Sequence, residues 1–236
     1  MSGRLEGRIA LVTGASRGIG RAVALRYAQE GAQVIAFART LGGLEELDDE
    51  IRKTTGKSAV LINDNIKDFD KLDQIGAALH QRFGKLDILC ANAATLGQLS
   101  PIGHYTPKMW AEIFDVNLTA NWRLLRALDP LLRASDAGRA IFVTSAVGVD
   151  PRMYWGPYAV SKAALEHMVK IYANEVAHTN VRANILNPGP VATNLRKLAF
   201  PGEDPAKPVP PEAITEAFVK LAEPSCALNG ARVDAQ

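Results

Sequence analysis

The chain has 236 residues, 47% hydrophobic and 22% charged, with a formal net charge of +2. So small a balance leaves no electrostatic footprint for nucleic acid or an anionic membrane, and neither is expected as a partner. The length suits one α/β domain over residues 1–236, and the two cysteines, Cys90 and Cys226, fall in or near apolar stretches as buried thiols would, which suits a reducing, cytoplasmic setting.

The first eight residues scatter charge and hold no apolar core, and no run has the length to span a bilayer. Residues 8–12 (RIALV) are a short run of strand formers that breaks into Thr13, Gly14, Ala15, Ser16, Arg17, Gly18, Ile19 and Gly20, and a helical pattern follows to about residue 30. Glycines without Cβ atoms allow a tight turn and close backbone approach, so a pyrophosphate can sit against amide N–H groups at the positive end of the helix. Strand, glycine turn and helix in that order point to dinucleotide binding. Gly31 stops the helix, and residues 33–38 read as a second strand ending at Arg39 and Thr40. Sites that prefer NAD carry an acid there for the ribose 2′-hydroxyl; here Ala38 is followed by Arg39, with Arg17 able to approach from the glycine turn. Two guanidiniums suit a 2′-phosphate, so NADP(H) is the expected cofactor, with a merely solvated Arg39 as the alternative.

Residues 44–55 read as a charged amphipathic helix and 58–62 as a third strand, ending in Asn63, Asp64, Asn65 and Ile66. A helix over 68–83 and a fourth strand over 86–91 follow, the strand running into Asn92, Ala93 and Ala94, where backbone can lie close to a flat ligand. Pro107 opens what reads as one long apolar helix to residue 132, with Asn117 in its middle. Residues 139–144 form a fifth strand ending at Ser145. Pro157 opens a helix to about residue 178, whose first turns carry Tyr158 and Lys162 on one face. A sixth strand over 181–186 breaks at Asn187, Pro188, Gly189 and Pro190, residues 195–211 read as a loop that covers a pocket, and a helix over 211–221 and a short strand near 231–233 complete the chain. This alternation predicts a doubly wound, parallel seven-stranded sheet with helices on both faces and ligands beyond the carboxyl ends of its strands.

Taken together, these motifs resemble the short-chain dehydrogenase/reductase family over residues 7–233, which implies a Rossmann-like α/β fold and a nicotinamide-dependent oxidoreductase. The turn from Thr13 to Gly20 matches the family's TGxxxGxG, and residues 91–94 resemble its NNAG segment, with Ala91 and Ala94 as departures. The resemblance implies that Gly14, Ser16, Arg17, Gly18, Ile19 and Gly20 meet the cofactor phosphates, with Arg39, Asn65, Ile66, Asn92 and Ala93 farther along. Pro188 and Gly189 would form the turn after the sixth strand, with Val191 and Thr193 meeting the carboxamide and phosphates. Asn65 stands where an acid usually marks adenine, and Asp64 is the alternative. Asn117, Ser145, Tyr158 and Lys162 fall where the catalytic four are expected: Tyr158 as general acid/base, Lys162 lowering its pKa and binding the ribose, Ser145 polarising a substrate carbonyl, and Asn117 holding a water that links Lys162 to solvent. No metal is implied. The substrate is a small carbonyl compound or alcohol, and Leu96, Val147, Tyr154, Trp155 and Leu198 are candidate pocket walls, with core packing as the alternative reading. A homo-oligomer, dimer or tetramer, is implied through the two long helices and the last strand. A cofactor-binding sensor or scaffold without turnover is the competing function.

Overall fold

The computed structural model describes residues 3–236. Its first half runs β1 (Ile9–Thr13), α1 (Gly18–Gln29), β2 (Gln33–Ala38), α2 (Leu41–Thr55), β3 (Val60–Asn63), α3 (Phe69–Phe83) and β4 (Ile88–Ala91). The second half runs α4 (Pro107–Phe114), α5 (Ala120–Arg133), β5 (Arg139–Val143), α6 (Gly156–Glu175), β6 (Arg182–Asn187), α7 (Asn194–Ala199), α8 (Thr215–Ala222) and β7 (Arg232–Asp234). All seven strands pair in parallel in the order β3-β2-β1-β4-β5-β6-β7. Chain order reverses between β1 and β4, which opens a crevice at the carboxyl edge of the sheet.

Apolar runs make such strands because both sheet faces are covered. Successive side chains of a strand point to opposite faces, so Ala10 and Val12 pack with Val34 and Ala36 on one face while Leu11, Ile35 and Phe37 pack on the other. The first face is closed by Val23 and Tyr27 of α1, Leu44 and Leu47 of α2 and Phe218 of α8. The second is closed by Leu72 of α3, Leu124 and Leu128 of α5 and Leu165 and Val169 of α6. Among the described residues no helix is long and apolar enough to cross a membrane.

Three elements differ from expectation. The single helix over 107–132 is instead α4, one wide turn of π-helix at Asp115–Thr119, and α5. That turn contains Asn117, whose side chain bonds backbone outside the helix, and such insertions are a common cause of π-bulges. The loop over 195–211 begins with a short helix, α7, where the Thr193 hydroxyl caps the Arg196 amide at 3.2 Å, and a parallel bridge between Val191 and Val209 closes it. The helix expected from residue 211 starts as a 3-10 turn, Pro211–Ile214, before α8.

Candidate active site

The glycine turn crosses the crevice from β1 to α1. Arg17 precedes the helix in an extended conformation, no side chain caps the first-turn amides, and no acid stands in that turn. Helix α1 therefore presents uncommitted N–H donors, the chemistry a phosphate needs, to a cleft of about 470 Å³ lined by Gly14, Ser16, Arg17, Gly18 and Ile19. Gly14 has φ +70°, and a Cβ there would lie 2.9 Å from the Asn92 amide nitrogen. Gly20 does not line the cleft; a Cβ on it would come within 2.3 Å of the Gly14 carbonyl oxygen and 2.5 Å of the Asn92 side-chain nitrogen, so its role is to let α1 pack against the glycine turn and the turn after β4.

That turn is held by Thr13, which sequence reasoning left without a role. Its hydroxyl accepts from the amides of Asn92 and Ala93, each at 3.0 Å, and its carbonyl accepts from the Asn92 side chain at 3.0 Å. The signal was a hydroxyl at the last position of a buried strand, where an apolar residue would otherwise stand. Asn92 and Ala93 both line the cleft, as do Pro188, Gly189, Val191 and Thr193 beyond β6.

At the far end, Arg39, Asn65 and Ile66 line the cleft with Thr40 and Lys67. Arg17 and Arg39 are exposed, and among the described residues neither has a carboxylate partner. Helix α2 starts directly after them with no side-chain cap and no acid in its first turn. Asp64 lies outside the lining and is paired with Lys71 of α3, whereas Asn65 faces the cleft and accepts the Lys67 amide at 3.1 Å.

The opposite end brings Ser145, Tyr158 and Lys162 together at the end of β5. Tyr158 is 5% exposed, and burial pushes its phenol up to about 12, partly offset by a hydrogen bond with Ser145. Lys162 is 2% exposed; burial lowers its ammonium to about 8, partly offset by the charge of Glu166. Its Nζ donates to the Val143 carbonyl at 2.8 Å and stands 5.9 Å from the centre of the Tyr158 ring. Asn117 is fully buried and lies behind the cleft rather than in its lining. Its Oδ1 accepts from the Thr95 amide at 2.9 Å, and its Nδ2 donates to the Thr95 carbonyl at 3.0 Å and Ser161 Oγ at 3.1 Å.

Tyr158 packs against Leu96 and Val147, with Trp155 and Leu195 beside them. The Trp155 ring lies 5.8 Å from that of Tyr158 and 5.6 Å from that of Phe200. Of the expected wall residues Trp155 lines the cleft, joined by Phe200; Leu96 and Val147 are buried behind it, as core packing would have them, and Tyr154 and Leu198 are exposed outside it. Besides Lys162, Arg196 lines this end of the cleft, and it is tied to Glu203 at 2.5 Å and stacked on Phe200.

The sequence profile described as short chain dehydrogenase matches residues 8–204. The chain belongs to the short-chain dehydrogenase/reductase family. It is 37% identical over 235 residues to the oxidoreductase YciK of Escherichia coli K12, covering 98% of this chain and 93% of that protein. An NAD-dependent oxidoreductase of Mycobacterium tuberculosis is 32% identical over 231 residues, covering 92% of this chain and 79% of its own. A short chain dehydrogenase from Escherichia coli CFT073, solved with NADPH, superposes with a TM-score of 0.95 at 36% identity, covering 100% of this chain and 99% of the other. As a family member the chain is an NAD(P)-dependent oxidoreductase.

Proposed function

We propose that this oxidoreductase is an NADP(H)-dependent carbonyl reductase that interconverts a small uncharged carbonyl compound and its alcohol, with Tyr158 as general acid/base. The observation that carries the reading is one cleft with Ser145, Tyr158 and Lys162 at one end and two unpaired guanidiniums, Arg17 and Arg39, at the other. A 2′-phosphate would meet those guanidiniums and the open amides of α2; no acid stands at the end of β2 or in the first turn of α2 for a free 2′-hydroxyl, and Glu112 in the cleft lining is paired with Lys67. The wall beside Tyr158, made by Trp155, Leu195, Ala199 and Phe200, with Arg196 already neutralised, favours an uncharged substrate.

When bound, the nicotinamide ring supplies or takes up the hydride. The chain does the rest. Ser145 donates to the substrate oxygen and holds the carbonyl against Tyr158, whose phenol gives its proton to that oxygen in reduction and recovers one in oxidation. A phenol near 12 is too weak an acid to do this alone, and Lys162, as an ammonium, stabilises the phenolate left behind. The Asn117 side chain is committed to Thr95 and Ser161 and its backbone carbonyl accepts from Asn121 Nδ2 at 2.8 Å, so Asn117 orders the wall behind Lys162 rather than offering a free side-chain group to a water. Free thiols at Cys90 and Cys226 agree with a cytoplasmic setting. Exposed Val160 and Ile171 on one stripe of α6, with Trp122 on α5, favour a homo-oligomer through those helices.

The test is fluorescence titration with NADPH and NADH, then a panel of aromatic and aliphatic ketones and aldehydes with the tighter binder. Tyr158→Phe is expected to lower kcat by about 100-fold or more with NADPH affinity retained. NADPH binding without consumption across the panel would return the chain to a sensor role.

A further inference from the structure

The last three residues of the β5 edge each engage a different residue of α6. The Val143 carbonyl accepts from Lys162 Nζ at 2.8 Å, the Thr144 hydroxyl donates to Glu166 Oε1 at 2.6 Å, and Ser145 faces Tyr158 across the cleft lining. The partners are spaced by four on one helix face, so the strand end is bound rung by rung along α6. Two rungs are the catalytic pair. The third, Glu166, has no part in the chemistry above, yet it is 4% exposed and its Oε1 also accepts from Arg232 Nε of β7 at 3.4 Å. A carboxylate so buried is costly unless it is paired and hydrogen-bonded. Gly148 leaves the space for it: a Cβ there would sit 3.0 Å from Glu166 Oε1.

We propose that Glu166 is a positioning residue of the active site, fixing the Val143 to Ser145 strand end against α6 and supplying the negative charge that holds Lys162 as an ammonium. The proposal rests on the role given to Lys162 above. On α6, Tyr158 and Glu166 share the buried face with Lys162, while His167 and Lys170 are exposed or partly so. β5 carries Arg139 at its opposite end, bonded to the Glu223, Pro224 and Asn180 carbonyls; Thr144 and Ser145 beyond its near end are neutral, the turn Ala146–Gly148 has no ionisable group, and Asp150 and Arg152 after it are exposed. Among the neighbouring elements, α4 brings Lys108 and Glu112, the π-turn Asp115, β6 Arg182 and β7 Arg232 with Asp234. Glu112 is paired with Lys67, Arg182 bonds the Thr179 carbonyl, and Arg232 bridges Asp234 at 2.8 Å. Glu166 is the buried carboxylate one helical turn from Lys162, and Arg232, on its Oε1, is the cation that partly offsets it. The family resemblance did not point to it, but its place four residues after Lys162 was legible.

The experiment uses full-length protein with 13Cε-labelled lysine and follows the Lys162 signal through pH, identified by its loss in Lys162→Met. Glu166→Gln keeps an acceptor for Thr144 and removes the charge, so the Lys162 midpoint is expected to fall by about one unit. Arg232→Gln removes the opposing charge and is expected to raise it. In turnover, the basic limb of the kcat/KM profile moves the same way for each variant. A Lys162 midpoint that stays in place in Glu166→Gln, or that moves in the same direction in both variants as general loosening would make it do, overturns the proposal. The amine titration needs no substrate, so absence of turnover in wild type would overturn the carbonyl-reductase reading and leave this test intact.

Discussion

Lys162 carries opposite consequences for stability and for chemistry. Its ammonium is lowered to about 8 from 10.5 by burial, so between those values the unfolded chain holds a proton that the folded chain has released. Stability attributable to this group is therefore lowest below pH 8 and recovers as pH rises towards 10.5. Lys162→Met is expected to be inactive, and its stability relative to wild type should be greater at pH 7 than at pH 10.5 by about 3 kcal/mol. Urea unfolding of the cofactor-free proteins at both values measures this; shifts of other buried groups, such as the raised Tyr27 phenol, cancel in the comparison. Arg39 is the complementary case at the cleft's other end. It is exposed and unpaired, so Arg39→Ala should leave the midpoint of thermal unfolding unchanged while NADPH affinity falls about tenfold and NADH affinity does not. An equal loss for both cofactors in the same titration would remove the 2′-phosphate argument.

Among the elements, the wall of the substrate side depends on two loops tied by one phenol. The Tyr105 hydroxyl contacts the carbonyls of Gln98 at 2.8 Å and Tyr154 at 2.9 Å, and the Ser100 amide donates to the same oxygen at 3.1 Å. Tyr154 needs such a hold, since it is the one non-glycine residue among those described with a left-handed backbone, at φ +71°, a conformation that costs about 1 kcal/mol or more. Tyr105→Phe should lower stability by about 1 kcal/mol and raise KM for the carbonyl substrate without changing NADPH affinity; an unchanged KM would show that the Tyr154 loop has no hand in seating the substrate. These loops were not legible in advance because the tie joins residues 49 apart in sequence, through a side chain with no distinctive local pattern. The wide turn at Asn117 was half legible. An amide in an apolar helix stood out, but the partner that draws it off the helix, Thr95, lies on another element.

For the whole molecule, most of the architecture was legible because both sheet faces are buried, six of the seven strands read as apolar runs, and β1, β3, β4 and β6 are closed by a glycine, asparagine or proline turn. The site was legible where backbone chemistry demands a residue type, as at Gly14 and Gly18. Glu166 and Thr13 were harder to find, because a buried carboxylate and a buried hydroxyl have meaning only once their partners across the sheet are known. Thr13 also bears on how ligand meets protein. Its single hydroxyl holds two successive amides of the β4 turn by bonds within the chain itself. The conformational entropy of that floor is lost during folding rather than at binding, so a dinucleotide arrives at a preorganised surface and its association rate is set by diffusion and charge on that side of the cleft, not by loop closure.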